Sequence, residues 1–205
     1  EDLAKYDAVE RKAVKGTYKG YDIYGMPPPS SGGATLIQMM NTMELVDWET
    51  IEFNSTSYVH VVAEAMRRGF ADRAEYLGDP DFNPEMPVDK LISKAHAKNR
   101  FENLDMERAS VSDSVKFGHP YDGKDTTHFS VIDKDGNAVS LTYTLEHGYG
   151  VKMGSKELGF IFNNEMGDFN AVPGVTTSGY QIGTPPNLIA PEKRMLSSMT
   201  PTSVG

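Results

Sequence analysis

Hydrophobic residues recur with helical spacing most clearly after residue 54. Ser55 or Ser57 can cap a helix there, and Gly78-Asp79-Pro80 is a stop signal at its far end. The apolar positions predict one buried stripe, formed by Tyr58, Val61, Val62, Ala65, Met66 and Phe70. The charged positions of this helix are expected to form a solvated face or structural ion pairs; they are Arg67, Arg68, Asp72 and Arg73.

Before this helix, short strands are predicted among the first 26 residues, where 16–25 is rich in aromatics separated by turn residues. Residues 27–33, with sequence Pro-Pro-Pro-Ser-Ser-Gly-Gly, cannot begin as helix because proline lacks an amide donor. We interpret them as an extended structural loop rather than a phosphate cradle, since neither a Walker lysine nor a GxGxxG pattern is present. Helical periodicity resumes at Leu36, Ile37, Met40 and Met43, and a shorter helix is predicted over 88–100.

The pattern changes to period two after residue 125. Residues 126–133 and 137–145 are strand-like runs, and Lys134-Asp135-Gly136 between them indicates a hairpin. A further strand is predicted over 158–163. Residues 105–125 are polar and favour a flexible connection, whereas the proline- and glycine-rich residues 173–193 favour a functional lid or a disordered stretch.

The length of the hairpin loop decides which residues face each other. A three-residue loop with Gly136 in the left-handed conformation places Thr126 directly opposite Thr144, with both side chains on one face. A two-residue loop would place Leu145 opposite Thr126 instead. We prefer the three-residue loop. Two facing threonines can be an ordinary cross-strand pair, so the geometry alone does not assign a function.

Composition narrows the possible functions. The 205 residues suffice for one sizeable domain or two small ones. A net charge of −9 argues against a nucleic-acid partner, which requires clustered lysine and arginine. The absence of cysteine excludes disulfides, thiolate catalysis and cysteine-based zinc sites. No apolar run is long enough to span a membrane and no signal peptide opens the chain, and we expect the chain to be part of a longer protein.

The sequence from Thr126 to Val139 resembles the opening of the small subunit of γ-glutamyltranspeptidases. The likeness continues in order over nearly the whole chain, and the other matching stretches are residues 26–33, 71–80, 163–169, 173–174 and 193–202. So many ordered motifs make the resemblance specific for the family and less so for the substrate.

The resemblance implies an α+β fold, the αββα sandwich of N-terminal-nucleophile hydrolases, of which this chain would hold a part. Residues 1–125 would be the end of the large-subunit-like segment and residues 126–205 the small-subunit-like catalytic segment, together forming one domain. The Thr126 hydroxyl would attack the Asp125 carbonyl and cleave the chain between them. The freed α-amino group, with a pKa near ~8, would serve as general base. Thr144 would hydrogen-bond the Thr126 hydroxyl.

The resemblance also places a substrate site. Asp168 would hold the α-amino group of a γ-glutamyl donor, and Glu146 and Glu165 would line the same site, where the commonest family pattern has an asparagine and a glutamine. The two glutamates are either harmless surface carboxylates or a more acidic ammonium pocket. Ser197 and Ser198 would hydrogen-bond the donor's α-carboxylate, and residues 173–193 would form the lid.

The expected partners are a small γ-glutamyl substrate such as glutathione, an amino-acid or peptide acceptor or water, and the remainder of both subunits. No metal or other cofactor is expected, and the family resemblance suggests a periplasmic or secreted location. The family's carboxylate-binding arginine lies upstream of these motifs, and its oxyanion-hole glycines lie downstream. Because losing one oxyanion donor typically costs ~10²–10³ in rate, this chain can be inactive by itself.

Three readings remain open at this point. The leading one is a γ-glutamyl hydrolase or transpeptidase. The first alternative is a cephalosporin-acylase-like or poly-γ-glutamate-processing member of the same superfamily, which the two glutamates favour. The second is an unprocessed, non-catalytic paralogue, in which the bond between Asp125 and Thr126 would stay intact.

Overall fold

The computed structural model describes residues 2–112, 126–170, 172–174 and 184–205. The α-helices are α1 (Asp2–Lys5), α2 (Gly32–Met43), α3 (Thr56–Tyr76), α4 (Val88–Leu91) and α5 (Lys94–Phe101). The strands are β1 (Val14–Tyr18), β2 (Tyr21–Gly25), β3 (Thr126–Ile132), β4 (Ala138–Thr144), β5 (Gly154–Ser155), β6 (Phe160–Ile161) and β7 (Thr202–Val204). Short 3₁₀ turns cover Trp48–Thr50, Glu165–Asp168 and Pro185–Asn187. The α+β composition predicted from the sequence is therefore confirmed.

An antiparallel sheet, ordered β1-β2-β7, joins the two ends of the chain. Asp22 and Gly205 exchange main-chain hydrogen bonds of 2.7 and 3.0 Å, so the last described residues pair with the second strand. Helix α2 packs on this sheet, where its Ile37 forms a buried cluster with Val14 and Ile23. The sheet and α2 together provide the base on which the more distant segments are fixed.

The loop at residues 27–33, here named the Pro–Ser–Gly loop, is hydrogen-bonded to the C-terminal segment Ser197–Met199. The Ser31 amide and hydroxyl both donate to the carbonyl of Ser197 at 2.9 Å, and the Ser30 hydroxyl donates to the carbonyl of Met199 at 2.6 Å. A methyl group added at Gly32 would lie 2.2 Å from the Met199 oxygen, so only glycine allows this approach. The predicted structural loop is confirmed, and the helix after it begins within its glycine pair, at Gly32.

Helix α3 begins as predicted, with the Ser55 hydroxyl accepting the Tyr58 amide at 3.2 Å, but its buried face is more polar than predicted. Met66 and Phe70, assigned to the buried stripe, are 42% and 41% exposed. Arg68 and Asp72 are buried instead, so the solvated-face alternative is wrong for them and the ion-pair alternative is confirmed.

Buried Glu64 shows why this polar face is stable. Burial alone would raise the pKa of Glu64, but hydrogen bonds from Ser110 and Arg68 and the charge of Arg68 lower it to about 2. The Ser110 amide donates to Glu64 at 3.1 Å, and Arg68 donates to the Asn103 carbonyl at 3.0 Å. Residues 105–112, predicted as part of a flexible connection, form no helix or strand but are held against α3 by these contacts. Residues 113–125, the rest of that connection, lie outside the described residues.

Buried Asp72 joins three helices. Its carboxylate accepts from Gln38 of α2, contacts the imidazole Nε2 of His96 at 2.7 Å and pairs with Arg100 at 3.1 Å, both on α5. A buried carboxylate surrounded by donors replaces apolar packing at this junction. The orientation of α3, which also carries Arg73, is fixed in this way.

Three predicted elements differ in detail. The helix predicted over 88–100 is divided into α4 and α5, because the Ser93 hydroxyl accepts the His96 amide at 3.1 Å and caps a new helix. The strand predicted over 158–163 is limited to β6, which pairs with β5. The first residues form the short helix α1 rather than a strand. Among the described residues, no helix is both long enough and apolar enough to cross a membrane.

The close approach at Gly32 leads to a stability prediction. We expect Gly32→Ala to lower the free energy of unfolding by about 1–3 kcal/mol, because its methyl group would meet main-chain oxygen that cannot move aside. Gly69→Ala is the matched control: its methyl group would meet only side-chain atoms of Thr35 and Met39, at 3.1 and 3.2 Å, and alanine favours the helix. Urea unfolding of both variants measures the difference, and equal losses would contradict this account.

Candidate active site

The hairpin β3–β4 places Thr126 opposite Thr144, as the three-residue loop predicted. The hydroxyl of Thr126 donates to the hydroxyl of Thr144 at 3.2 Å. The alternative register, with Leu145 opposite Thr126, is wrong. Gly136 has a φ of +85°, which is the left-handed conformation that this loop requires.

The loop is also stabilised by the side chain of Asp133. Its carboxylate accepts the main-chain amides of Asp135 and Asn137 at 2.9 Å each. Hydrogen bonds from the side chain and main chain of Asn137 lower the pKa of Asp133. The carboxylate is therefore ionised at neutral pH and fixes the loop length on which the facing threonines depend.

The chain turns sharply directly after β4. Thr144 accepts the main-chain amide of Glu146 at 2.9 Å through its hydroxyl oxygen, while Glu146 has a φ of +73°. A non-glycine residue in this conformation costs on the order of 1 kcal/mol or more, so the surroundings must hold it. The turn directs the carboxylate of Glu146 to Gly167, where an added methyl group would lie 2.8 Å from Oε1.

Three carboxylates meet at this point, from Glu146, Glu165 and Asp168, and we name them the acidic cluster. Burial, followed by the charges of Asp168 and Glu146, raises the pKa of Glu165 to about 7. Burial and the charge of Glu146 raise the pKa of Asp168 to about 6. At neutral pH the cluster therefore retains a proton for part of the time, because adjacent carboxylates repel when all are ionised.

The acidic cluster has unused hydrogen-bonding capacity. Oε2 of Glu146 and Oε1 of Glu165 are buried and have no hydrogen-bond partner among the described residues. Buried polar atoms are normally paired, so these two oxygens are suited to accept from a bound donor. The reading of both glutamates as harmless surface carboxylates is not supported, since Glu165 is 7% exposed and the side chain of Glu146 is 10% exposed.

Arg73 of α3 contributes a positive charge to this site, whereas the sequence predicts a solvated face or an ion pair for it. Its positive charge opposes the rise in the pKa of Asp168. Burial lowers the pKa of Arg73 itself, and the charge of Asp168 opposes that change. Arg73 Nε also donates to the hydroxyl of Ser31 at 2.9 Å, which connects the cation to the Pro–Ser–Gly loop.

Ser197 and Ser198 lie where the Pro–Ser–Gly loop fixes the main chain. Ser197 is buried, and its hydroxyl accepts the Met199 amide at 3.2 Å, whereas Ser198 is exposed. Asn187, which no sequence pattern marked, contacts both this segment and the turn that carries Asp168. The predicted residues are thus linked through a continuous series of hydrogen bonds and close contacts, from Thr126 and Thr144 through the acidic cluster to Ser197.

Part of the predicted site lies outside the described residues. Asp125, the other half of the predicted cleavage site, is one such residue, and so are residues 175–183 within the predicted lid. Within the described residues, no group of three or more acidic or histidine side chains is arranged to hold a metal ion.

Comparison with known proteins gives a consistent result. The family profile described as gamma-glutamyltranspeptidase matches residues 1–205. The chain is 46% identical over 206 aligned residues to the glutathione hydrolase proenzyme of Escherichia coli K12, covering 100% of this chain and 35% of that protein. It is 40% identical over 200 aligned residues to the acylase ACY 1 proenzyme of Pseudomonas sp. strain SE83, covering 98% of this chain and 34% of that protein. The chain thus spans about a third of the length of the curated relatives it matches.

Two solved structures confirm the fold. The Helicobacter pylori gamma-glutamyltranspeptidase is 47% identical, with a TM-score of 0.51 over 53% of this chain and 31% of that one. The cephalosporin acylase of Bacillus halodurans is 21% identical, with a TM-score of 0.73 over 99% of this chain and 34% of that one, and it supports the fold alone. Both belong to the N-terminal-nucleophile hydrolases, so the predicted fold class is confirmed.

The raised pKa of Glu165 leads to a prediction about stability against pH. The pKa of Glu165 is about 4 in the unfolded state and about 7 in the folded state. Between these two pH values, Glu165 has lost its proton in the unfolded state but keeps it in the folded state. Wild-type stability therefore falls as pH rises through this window, by at most about 4 kcal/mol from this group. Glu165→Gln removes this dependence, so the variant should become increasingly stable relative to wild type as pH rises. Urea unfolding at several pH values measures it, and the exposed-site control Glu157→Gln should follow wild type; a constant difference for Glu165→Gln would refute the assignment.

Proposed function

This chain belongs to the γ-glutamyltranspeptidase family, and from that premise we propose that it carries the nucleophile and most of the donor site of a γ-glutamyl amide hydrolase or transpeptidase. The observation that carries the proposal is the pairing of Thr126 with Thr144 at 3.2 Å, directly before a turn into the acidic cluster. Glutathione-type amides are the proposed donors, and water, an amino acid or a peptide is the proposed acceptor.

The first proposed step is self-cleavage between Asp125 and Thr126. The Thr126 oxygen attacks the Asp125 carbonyl carbon, the peptide C–N bond breaks, and an ester with a free α-amino group results. Water hydrolyses the ester and leaves a carboxylate on Asp125 and the free hydroxyl on Thr126. Residues 1–125 and 126–205 would then belong to two separate subunits.

The mature nucleophile would use its own amine as general base. The α-amino group of Thr126, with an ordinary pKa near ~8, takes the hydroxyl proton as the oxygen attacks the donor's γ-carbonyl. Thr144 fixes the position of that oxygen, because its own hydroxyl is oriented by the amide of Glu146. The α-ammonium formed in this step returns the proton to the donor's nitrogen, which leaves as the free amine. The α-amino group then takes a proton from water or an acceptor amine as it attacks the acyl–enzyme ester, and the proton passes to the Thr126 oxygen as the ester breaks.

The acidic cluster would bind the donor's α-ammonium. An ammonium group supplies three N–H donors, which suits the unpartnered oxygens of Glu146 and Glu165 and the carboxylate of Asp168. Its positive charge would relieve the repulsion that, in addition to burial, raises the pKa of Glu165 and of Asp168. Ser197 and Ser198 would bind the α-carboxylate on the other side of the same carbon.

An acylase is the second candidate, because the 40% identical relative is named as one and because both glutamates depart from the commonest transpeptidase pattern. Such an enzyme would share Thr126 and the cleavage chemistry. It would not require an α-ammonium on its donor, so the two candidates differ in their response to the acidic cluster.

Cleavage is the first test. Full-length protein should yield a fragment whose first residue is Thr126, whereas Thr126→Ala should remain intact, because no hydroxyl is available to attack. A denaturing gel with N-terminal sequencing measures both outcomes. Thr127→Ala, the neighbouring threonine on the opposite face of the strand, is the control and should still be cleaved. A new N-terminus at any other residue would refute the nucleophile, and an intact wild-type chain would indicate the non-catalytic paralogue.

Donor binding is the second test. Asp168→Asn in the full-length enzyme should raise KM for a γ-glutamyl anilide on the order of 10- to 100-fold, the loss expected for one charge-assisted hydrogen bond. Glu146→Gln, the control within the same cluster, should raise KM far less. An unchanged kcat/KM in Asp168→Asn, or equal turnover of a glutaryl anilide that lacks the ammonium, would contradict the γ-glutamyl donor and favour the acylase.

A further inference from the structure

Asn187, at the end of the 3₁₀ turn Pro185–Asn187, uses its side chain to join two separate parts of the chain. Nδ2 donates to the carbonyl oxygen of Asp168 at 2.6 Å. Oδ1 accepts the main-chain amide of Leu196 at 2.9 Å. The residue is only 5% exposed, so both contacts are shielded from water. A carboxamide offers a donor and an acceptor on two separate atoms, which an alanine or an ionised carboxylate at this position would not reproduce.

The two segments joined by Asn187 are the two sides of the proposed donor site. Asp168 itself belongs to the acidic cluster, and Leu196 directly precedes Ser197. The ammonium and carboxylate of a γ-glutamyl donor are attached to one carbon, so the groups that bind them must keep a fixed separation. A displacement of about 1 Å at such a site can cost on the order of 10²-fold in rate.

Among the described residues, other direct contacts hold one side each, and Arg73 connects the two sides only through Ser31 and through its charge on Asp168. The Pro–Ser–Gly loop holds the carbonyls of Ser197 and Met199, and Gly167 accommodates Glu146 beside Asp168. Asn187 contacts both sides at once, with one side-chain amide. Its own main-chain oxygen accepts the amide of Asn170 at 2.9 Å, which holds Asn187 in place.

We propose that Asn187 is a positioning residue that fixes the separation between Asp168 and the Ser197–Ser198 pair, and so sets the selectivity of the site for ligands carrying both a free α-ammonium and an α-carboxylate. The inference rests on the proposed function for the identity of the two sides. It assigns to Asn187 no contact with the ligand.

Asn170 provides a matched control. It is the same residue type, is equally buried and lies in the same region. Its side-chain amide donates to the carbonyl of Thr184 at 2.9 Å, and its Oδ1 accepts a longer hydrogen bond, of 3.5 Å, from Nδ2 of Asn187; neither bond reaches Asp168 or Leu196. Loss of either side chain should therefore lower the melting temperature by a similar amount. Only the loss of Asn187 should change ligand selectivity.

The experiment uses full-length protein, and its main measurement, ligand-induced thermal stabilisation, does not depend on turnover. The rise in melting temperature caused by saturating L-glutamate is compared with that caused by glutarate, which lacks the ammonium. Wild type and Asn170→Ala should both respond to L-glutamate more than to glutarate. Asn187→Ala should lose most of that preference, and its KM for a γ-glutamyl anilide should rise about tenfold or more while kcat changes little. Asn187→Asp keeps the size and the acceptor for Leu196 but loses the donor to Asp168, so it should lose the preference as well.

Several results would overturn the inference. Equal ligand preference in Asn187→Ala and Asn170→Ala would show that Asn187 is merely structural. Wild-type preference in Asn187→Asp would do the same. No preference in wild type would instead refute the proposed ammonium site, and the inference with it. These results are separable from failure of the proposed nucleophile, because cleavage at Thr126 is scored independently on a gel. A protein that prefers L-glutamate yet stays intact would refute the nucleophile and leave the role of Asn187 standing.

Discussion

The site depends on the contact between the Pro–Ser–Gly loop and the segment Ser197–Met199. This contact joins residues more than 160 positions apart, and it consists largely of main-chain carbonyls held by Ser30 and Ser31. Glycine at position 32 is what lets the two main chains come so close. Helix α2 begins in the same loop and packs on the sheet. The segment Ser197–Met199 is therefore held to the core through this loop. Arg73 adds to this support, since it donates to Ser31 while its charge acts on Asp168.

The acidic cluster is costly to maintain, and the fold shows how the cost is offset. Three carboxylates lie close together and two of their buried oxygens are unpaired among the described residues. Burial, followed by the charges of the neighbouring carboxylates, raises the pKa of both Glu165 and Asp168. Arg73 reduces the repulsion, and partial protonation reduces it further. Elsewhere the same chain buries Glu64 among donors and lowers its pKa to about 2. Glu64, which is surrounded by donors, stabilises the fold, whereas the carboxylates of the acidic cluster keep oxygens with which a ligand can form hydrogen bonds.

The local parts of this structure could be predicted from the sequence. The register of β3 and β4 follows from a loop of three residues, and the start of α3 follows from one serine. Long-range polar contacts could not be predicted in the same way. The sequence left a solvated face and an ion pair open for Arg68 and Asp72, because partners such as Asn103 and Gln38 lie more than 30 residues away. Asn187 gave no signal at all, since a single asparagine in a proline-rich loop has many ordinary uses. The residues of the acidic cluster were identified through family resemblance, but their burial next to one another is seen only in the structure.

The loop at residues 134–136 has a consequence for how this hairpin can evolve. At about 3.4 Å per residue, the loop begins about 27 Å along the strand from Thr126. Its length nevertheless decides which residue of β4 lies opposite Thr126. Residues within the loop can be exchanged as long as the left-handed position at Gly136 is respected. Insertion or deletion of a single residue would instead shift the pairing of the strands and bring a different side chain opposite Thr126. This exposed loop should therefore tolerate substitutions but not insertions or deletions, whereas surface loops usually tolerate both.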